Sequence, residues 1–151
     1  MSAGALTGWR VRGALALVGW LLAVSASACD GLEITGAWIR EPPPGNGTVA
    51  AYMRLHNAGT RPLVITAISS PAFAMGMLHE TVHVGDQVQM KHVPRLRLKA
   101  GKTIELAPGG LHAMLMRPTG AAPRAGDTLP VALHCGDVVR SLQVPVSRTP
   151  P

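Results

Sequence analysis

Apolar and polar residues alternate along this chain in short runs that turn chemistry interrupts, from Leu32 almost to the end. Leu32–Arg40 (LEITGAWIR) gives way to Glu41–Gly47 (EPPPGNG), whose prolines and glycines suit neither strand nor helix. Thr48–His56 (TVAAYMRLH) follows, then a turn at Asn57–Pro62, then Leu63–Ser69 (LVITAIS). Arg95–Leu106 alternates basic with apolar residues up to Ala107–Gly110 (APGG), and Leu111–Met116 (LHAMLM) comes next. Thr128–Val146 reads as two strands about Gly136-Asp137. Turn signals recur about every eight to twelve residues, and no 3.6-residue apolar stripe runs to a useful length. The expected fold is all-β, a sandwich or barrel.

One hairpin can be placed in register. Residues His79–Val93 (HETVHVGDQVQMKHV) carry Gly85-Asp86 between two alternating runs, a dipeptide suited to a two-residue turn. That turn pairs Val84 with Gln87, Thr81 with Met90, and His79 with His92. Opposed residues share a face, so His79 and Met90 become diagonal neighbours, roughly 7–8 Å apart. Leu78, Val82 and Val84 fall on the other face, which is expected to be the core side. In Leu111–Met116, His112 and Met114 are two apart and point the same way if the segment is a strand.

The pattern changes before residue 29. Arg10 and Arg12 precede an apolar run, Gly13–Ser25, and Ala26-Ser27-Ala28 offers small residues for cleavage. The run is shorter than the ~20 residues that span a bilayer. Residues 1–28 therefore read as a cleaved secretory signal, and residues 29–151 as one mature domain, large enough to bury a real core. Two cysteines remain, Cys29 and Cys135. In an exported chain an even count favours one disulfide. The alternative is a lipid on Cys29, the first mature residue, although Ala26 stands where lipoprotein signals usually place Leu.

Of the 14 basic residues, Arg10 and Arg12 lie in the leader, leaving 12 against 8 acidic ones without a clustered basic run. The mature aromatics are Trp38, Tyr52 and Phe73, too few for base-stacking platforms. Nucleic-acid binding is not expected. Arg95, Arg97 and Lys99 alternate with Leu96 and Leu98 as an exposed strand face would. Docking of an acidic partner is the sharper reading of that stripe.

Candidate chemistry gathers in one stretch. Apart from Met1 and Met53, every methionine lies between Met75 and Met116, with His79, His83, His92 and His112 interspersed. Thioether sulfur is a soft ligand that prefers Cu(I), and imidazole suits copper in either state. Two of each make a neutral, soft, low-coordinate site, unlike the thiolate and carboxylate sets that zinc favours. His79, Met90, His112 and Met114 are the candidate ligands. Met75, Met77 and Met116 are assigned to packing or to the surroundings of the site, Met53 to the core, and His56 and His134 to other strands. His92 and His83 are weaker candidates, as auxiliary ligands.

The spacing His-x10-Met-x21-His-x-Met, with LHETV around His79 and APGGLHAMLM around the second pair, resembles the PCuAC-type periplasmic copper chaperones. Gly36–Gly59 (GAWIREPPPGNGTVAAYMRLHNAG) is similar to that family's N-terminal half, so the resemblance covers nearly all the mature chain. It implies a cupredoxin-like Greek-key β-sandwich that binds Cu(I) through these four residues. It further implies a periplasmic monomer delivering copper to the binuclear site of cytochrome c oxidase, the copper-bearing subunit being the partner. Some members carry a His- and Met-rich tail for Cu(II). This chain closes on Val146–Pro151 (VSRTPP), so that second capacity is expected to be missing. Related proteins more usually have Pro where His92 stands.

Other functional classes fit less well. A blue-copper site needs a Cys thiolate with nearby His and Met, and neither cysteine has that spacing. No nucleophile with its base and no paired carboxylates point to an enzyme. A copper storage or resistance protein is the alternative, with the same ligands but without handover.

Overall fold

The computed structural model describes residues 29–151; the expected signal segment, residues 1–28, lies outside the described residues. Among the described residues the chain forms eleven strands and no helix. They are β1 (Leu32–Arg40), β2 (Val49–Asn57), β3 (Leu63–Ile65), β4 (Ala67–Ser69), β5 (Phe73–Val84) and β6 (Gln87–His92). After them come β7 (Leu96–Leu98), β8 (Thr103–Leu106), β9 (Leu111–Pro118), β10 (Thr128–Cys135) and β11 (Val138–Ser147). The main sheet runs β4-β10-β11-β1-β2-β9-β5-β6, with β8 also on β2, and β3 pairs with β7 separately. All pairings are antiparallel except β1 with β11. The result is an all-β, cupredoxin-like sandwich.

Alternation explains most of these strands. In β2, Val49, Ala51, Met53 and Leu55 are buried, and Leu96 and Leu98 are buried between exposed Arg95, Arg97 and Lys99. The core takes Ile39, Leu55, Ile65, Leu98, Leu115, Leu133 and Val144, each fully excluded from solvent. Met53 belongs to it, as its alternation requires. The Cys29–Cys135 disulfide, with both residues buried, ties the start of the described chain to the end of β10.

Two single runs divide. Leu63–Ser69 breaks at Thr66, whose N–H and hydroxyl both donate to the His134 carbonyl. β3 therefore goes to β7 while β4 joins β10. Arg95–Leu106 breaks at a turn where Lys102 N–H donates to the Lys99 carbonyl and Gly101 takes a φ of +66°. Alternation runs through both breaks and cannot register them.

The sheet curls until β4 crosses the inner face of β5. At Gly76 the approach is so close that a Cβ would lie 2.2 Å from the Ile68 carbonyl oxygen. Only glycine permits it. The contact is with backbone, so β5 is held against the core there, and the neighbouring Met75 and Met77, with His79 beyond them, face away.

Candidate metal centre

β5 is the spine of the site. Leu78 is buried on its core face, as are Ala113 and Leu115 of β9. On the opposite face Met75, Met77, His79 and Thr81 follow at every second position. Toward β9 the register pairs Met75 with Met116, Met77 with Met114 and His79 with His112. Toward β6 it pairs His79 with His92 and Thr81 with Met90. Directly opposed residues share a face, with Cβ atoms about 4.5–5.5 Å apart. His79, Met90, His112 and Met114 therefore all lie on one side of the sheet.

The hairpin has the register expected from its turn, and Gly85 takes a φ of +60° as the first central residue of a type II′ turn does. The expectation that Val82 and Val84 enter the core is not met. Val82 is only half-buried and Val84 is 56% exposed, because the hairpin outruns the layer beneath it; Leu78 is the residue that packs.

The two central imidazoles are held differently. His112 is 5% exposed, and its ring Nδ1 lies 2.9 Å from the Gly110 carbonyl oxygen. A carbonyl only accepts, so Nδ1 carries the proton and Nε2 keeps its lone pair. The same carbonyl accepts the Thr81 N–H at 3.1 Å. The turn at Ala107–Gly110 thus fixes the tautomer of His112 and docks β5 beside it, a role invisible in the letters APGG. His79 sits between two other imidazoles, its ring centroid 6.1 Å from that of His112 and 5.8 Å from that of His92. Its Nδ1 is buried and has no hydrogen-bond partner among the described residues. Burial first, then the charges His112 and His92 would carry, hold its pKa below the ordinary 6.5. The ring is therefore kept neutral, the state a ligand needs.

The thioethers flank this row on both sides. Met114 lies two residues from His112, opposite Met77, and is half-buried. Met90 lies opposite Thr81, on the turn side of His79, and is 62% exposed. It must fold back over His79 to join the others, which its flexible side chain permits. Among the described residues no three His, Cys, Asp or Glu side chains are grouped to hold a metal ion. The donors on this face mix imidazole nitrogen with thioether sulfur. An unpartnered imidazole nitrogen, a second imidazole with a free Nε2 and nearby thioethers suit a soft monovalent ion.

The remaining candidates separate cleanly. His92 is exposed and directly opposite His79, while His83 is exposed near the hairpin tip. His56 Nδ1 is 3.0 Å from the Thr103 hydroxyl, and His134 Nε2 is 2.8 Å from that of Ser69. Trp38 and Tyr52, with ring centroids 4.8 Å apart, are buried outside the main core. Since Ala50 opposes Met114 and Trp38 opposes Tyr52, this pair shares the face of His112. A groove of about 780 Å³ opens between Pro42–Pro44 and Ala121–Arg124, with none of these histidines or methionines in its lining.

Residues 32–146 match the family model LpqE-like, described as "Putative lipoprotein LpqE-like". The chain is 34% identical over 130 residues to "Putative lipoprotein Lxx21020" of Leifsonia xyli subsp. xyli, covering 82% of this chain and 76% of that one. Among solved structures, the solution structure of CuI-DR1885 from Deinococcus radiodurans is 29% identical, with a TM-score of 0.63 over 83% of this chain and 86% of that one. The copper-bound PCuAC domain from PmoF2 is 20% identical, with a TM-score of 0.62 over 79% of this chain and 94% of that one, a likeness of fold.

Proposed function

We propose that this chain, which belongs to the LpqE-like, PCuAC-type family, is an exported copper(I) carrier that holds its cargo through His79, Met90, His112 and Met114. The observation that carries the reading is the buried, unpartnered Nδ1 of His79 beside an imidazole whose own Nδ1 is committed to Gly110. A buried polar atom with no partner costs about 1–3 kcal/mol, and a bound ion is one of the few things that accounts for it. The likeness to CuI-DR1885, at 29% identity, supports the choice of metal.

The same residues suit transfer. His112, locked by Gly110, provides a fixed anchor, and Met114 adds a thioether from the same strand face. Met90 is the mobile ligand, already exposed on an outer strand, and it can yield its place to an incoming group. No thiolate takes part, so an acceptor with cysteine ligands binds Cu(I) more strongly. The binuclear copper site of cytochrome c oxidase is such an acceptor.

Export is part of the proposal, supported by the leader sequence and by relatives named as lipoproteins. In this reading the chain acts in the periplasm with its Cys29 sulfur joined to Cys135, the alternative being a lipid anchor on Cys29. Mixing the Cu(I)-loaded protein with the reduced, metal-free copper domain of oxidase subunit II, and following both by NMR, tests delivery. Copper is expected to move to the acceptor. If it stays, with the acceptor shown competent by another donor, the protein stores copper.

A further inference from the structure

Three successive cross-strand pairs of β5 and β9 put six metal-capable side chains on one face: His79 with His112, Met77 with Met114, and Met75 with Met116. The copper set proposed above uses three of them, together with Met90. Met75, Met77 and Met116 are left over, and the packed core does not account for them. None belongs to the hydrophobic core, where Met53 is the only methionine among the described residues, and all three are half-buried on the outer face.

Their surroundings leave them free to converge. β6 pairs with β5 only from His79 to Val84, so the Met75–Met77 segment lies beyond the end of the hairpin pairing. The residue opposite Met114 on β2 is Ala50, which adds little bulk to the face. Beneath, the backbone of Gly76 rests against the Ile68 carbonyl, so β5 cannot turn to bury these side chains. Opposed Cβ atoms lie about 4.5–5.5 Å apart and diagonal ones about 7–8 Å, and methionine has three rotatable bonds beyond Cβ to close that gap.

We propose that Met75, Met77 and Met116 form a second site for a soft monovalent cation, Cu(I) or its analogue Ag(I), next to the imidazole–thioether site and bordering it at His79 and Met114. Three thioethers supply a neutral, soft, low-coordinate shell, the chemistry such an ion prefers and harder divalent ions do not. The inference rests on reading this face as a copper surface, but it needs neither imidazole.

Native mass spectrometry of the purified protein with excess Ag(I), after removal of loosely held ions, reads the stoichiometry. Two ions per chain are expected. The triple variant M75L/M77L/M116L, nearly volume-conserving, is expected to hold one, and H79A/H112A is expected to hold one as well. A wild-type protein that saturates at one ion, or a triple-leucine variant that still takes two, overturns the second site. Loss of binding confined to the histidine variant leaves the first reading standing and removes this one. NMR of Cε-labelled methionine in the unaltered protein needs no variant. The methyl signals of Met75, Met77 and Met116 are expected to move with the second equivalent of Ag(I), and static signals there count against the site.

Discussion

As a proposed copper ligand, His79 sets stability against function. Its Nδ1 is buried without a partner, and removing a polar group that has no partner is far cheaper than breaking a made hydrogen bond. His79→Leu is therefore expected to leave the apo protein as stable as wild type, or more stable by up to about 1 kcal/mol, in urea unfolding. Its Cu(I) affinity is expected to fall at least about tenfold, read by competition with a chromogenic chelator. Stability lost together with affinity would mean that His79 is structural. The lowered pKa of His79 sets the pH behaviour. Between that value and 6.5 the unfolded chain binds more protons than the folded one, so apo stability rises with pH through this window and falls on acidification. Copper affinity moves the same way, because a protonated ring cannot ligate. A titration is expected to show Cu(I) affinity falling on acidification.

Strand pairing decides which of these residues meet, and only part of it can be read from sequence. The hairpin of β5 and β6 was legible because Gly85-Asp86 fixes its register locally. The pairing of β5 with β9 was not, since no turn joins them and nothing in the alternation specifies a register across so long a gap. Spacing and resemblance singled out His79, Met90, His112 and Met114. The sheet then sets Met77 opposite Met114 and extends the donor row to Met75 and Met116. Val84 was misplaced because alternation reports a face and says nothing about whether a layer lies beneath it. Gly76 links core to site, and Gly76→Ala forces a Cβ onto the Ile68 carbonyl. Overpacking of this kind typically costs about 1–3 kcal/mol. Gly76→Ala is expected to lose stability in that range and to weaken Cu(I) binding by shifting Met75–His79 relative to β9. Unchanged unfolding would contradict the close contact of β4 with β5.

At the scale of the whole molecule, the Cys29–Cys135 bond closes a loop with a sequence separation of 106, and such bonds are typically worth about 2–4 kcal/mol. Reduction is expected to lower stability by that order. The intact mass of the exported protein is expected to be two hydrogens below the reduced value, and a diacylglycerol adduct would mean that Cys29 carries a lipid instead. The proposed copper face lies on the opposite side of β5 and β9 from the packed core, an arrangement that would let metal come and go without unfolding the sandwich. The most direct test of the central claim is X-ray absorption at the copper edge on the protein loaded with one equivalent of Cu(I). A mixed shell of imidazole nitrogen and thioether sulfur is expected, and a shell fitted by nitrogen and oxygen alone would contradict the assignment of His79, Met90, His112 and Met114.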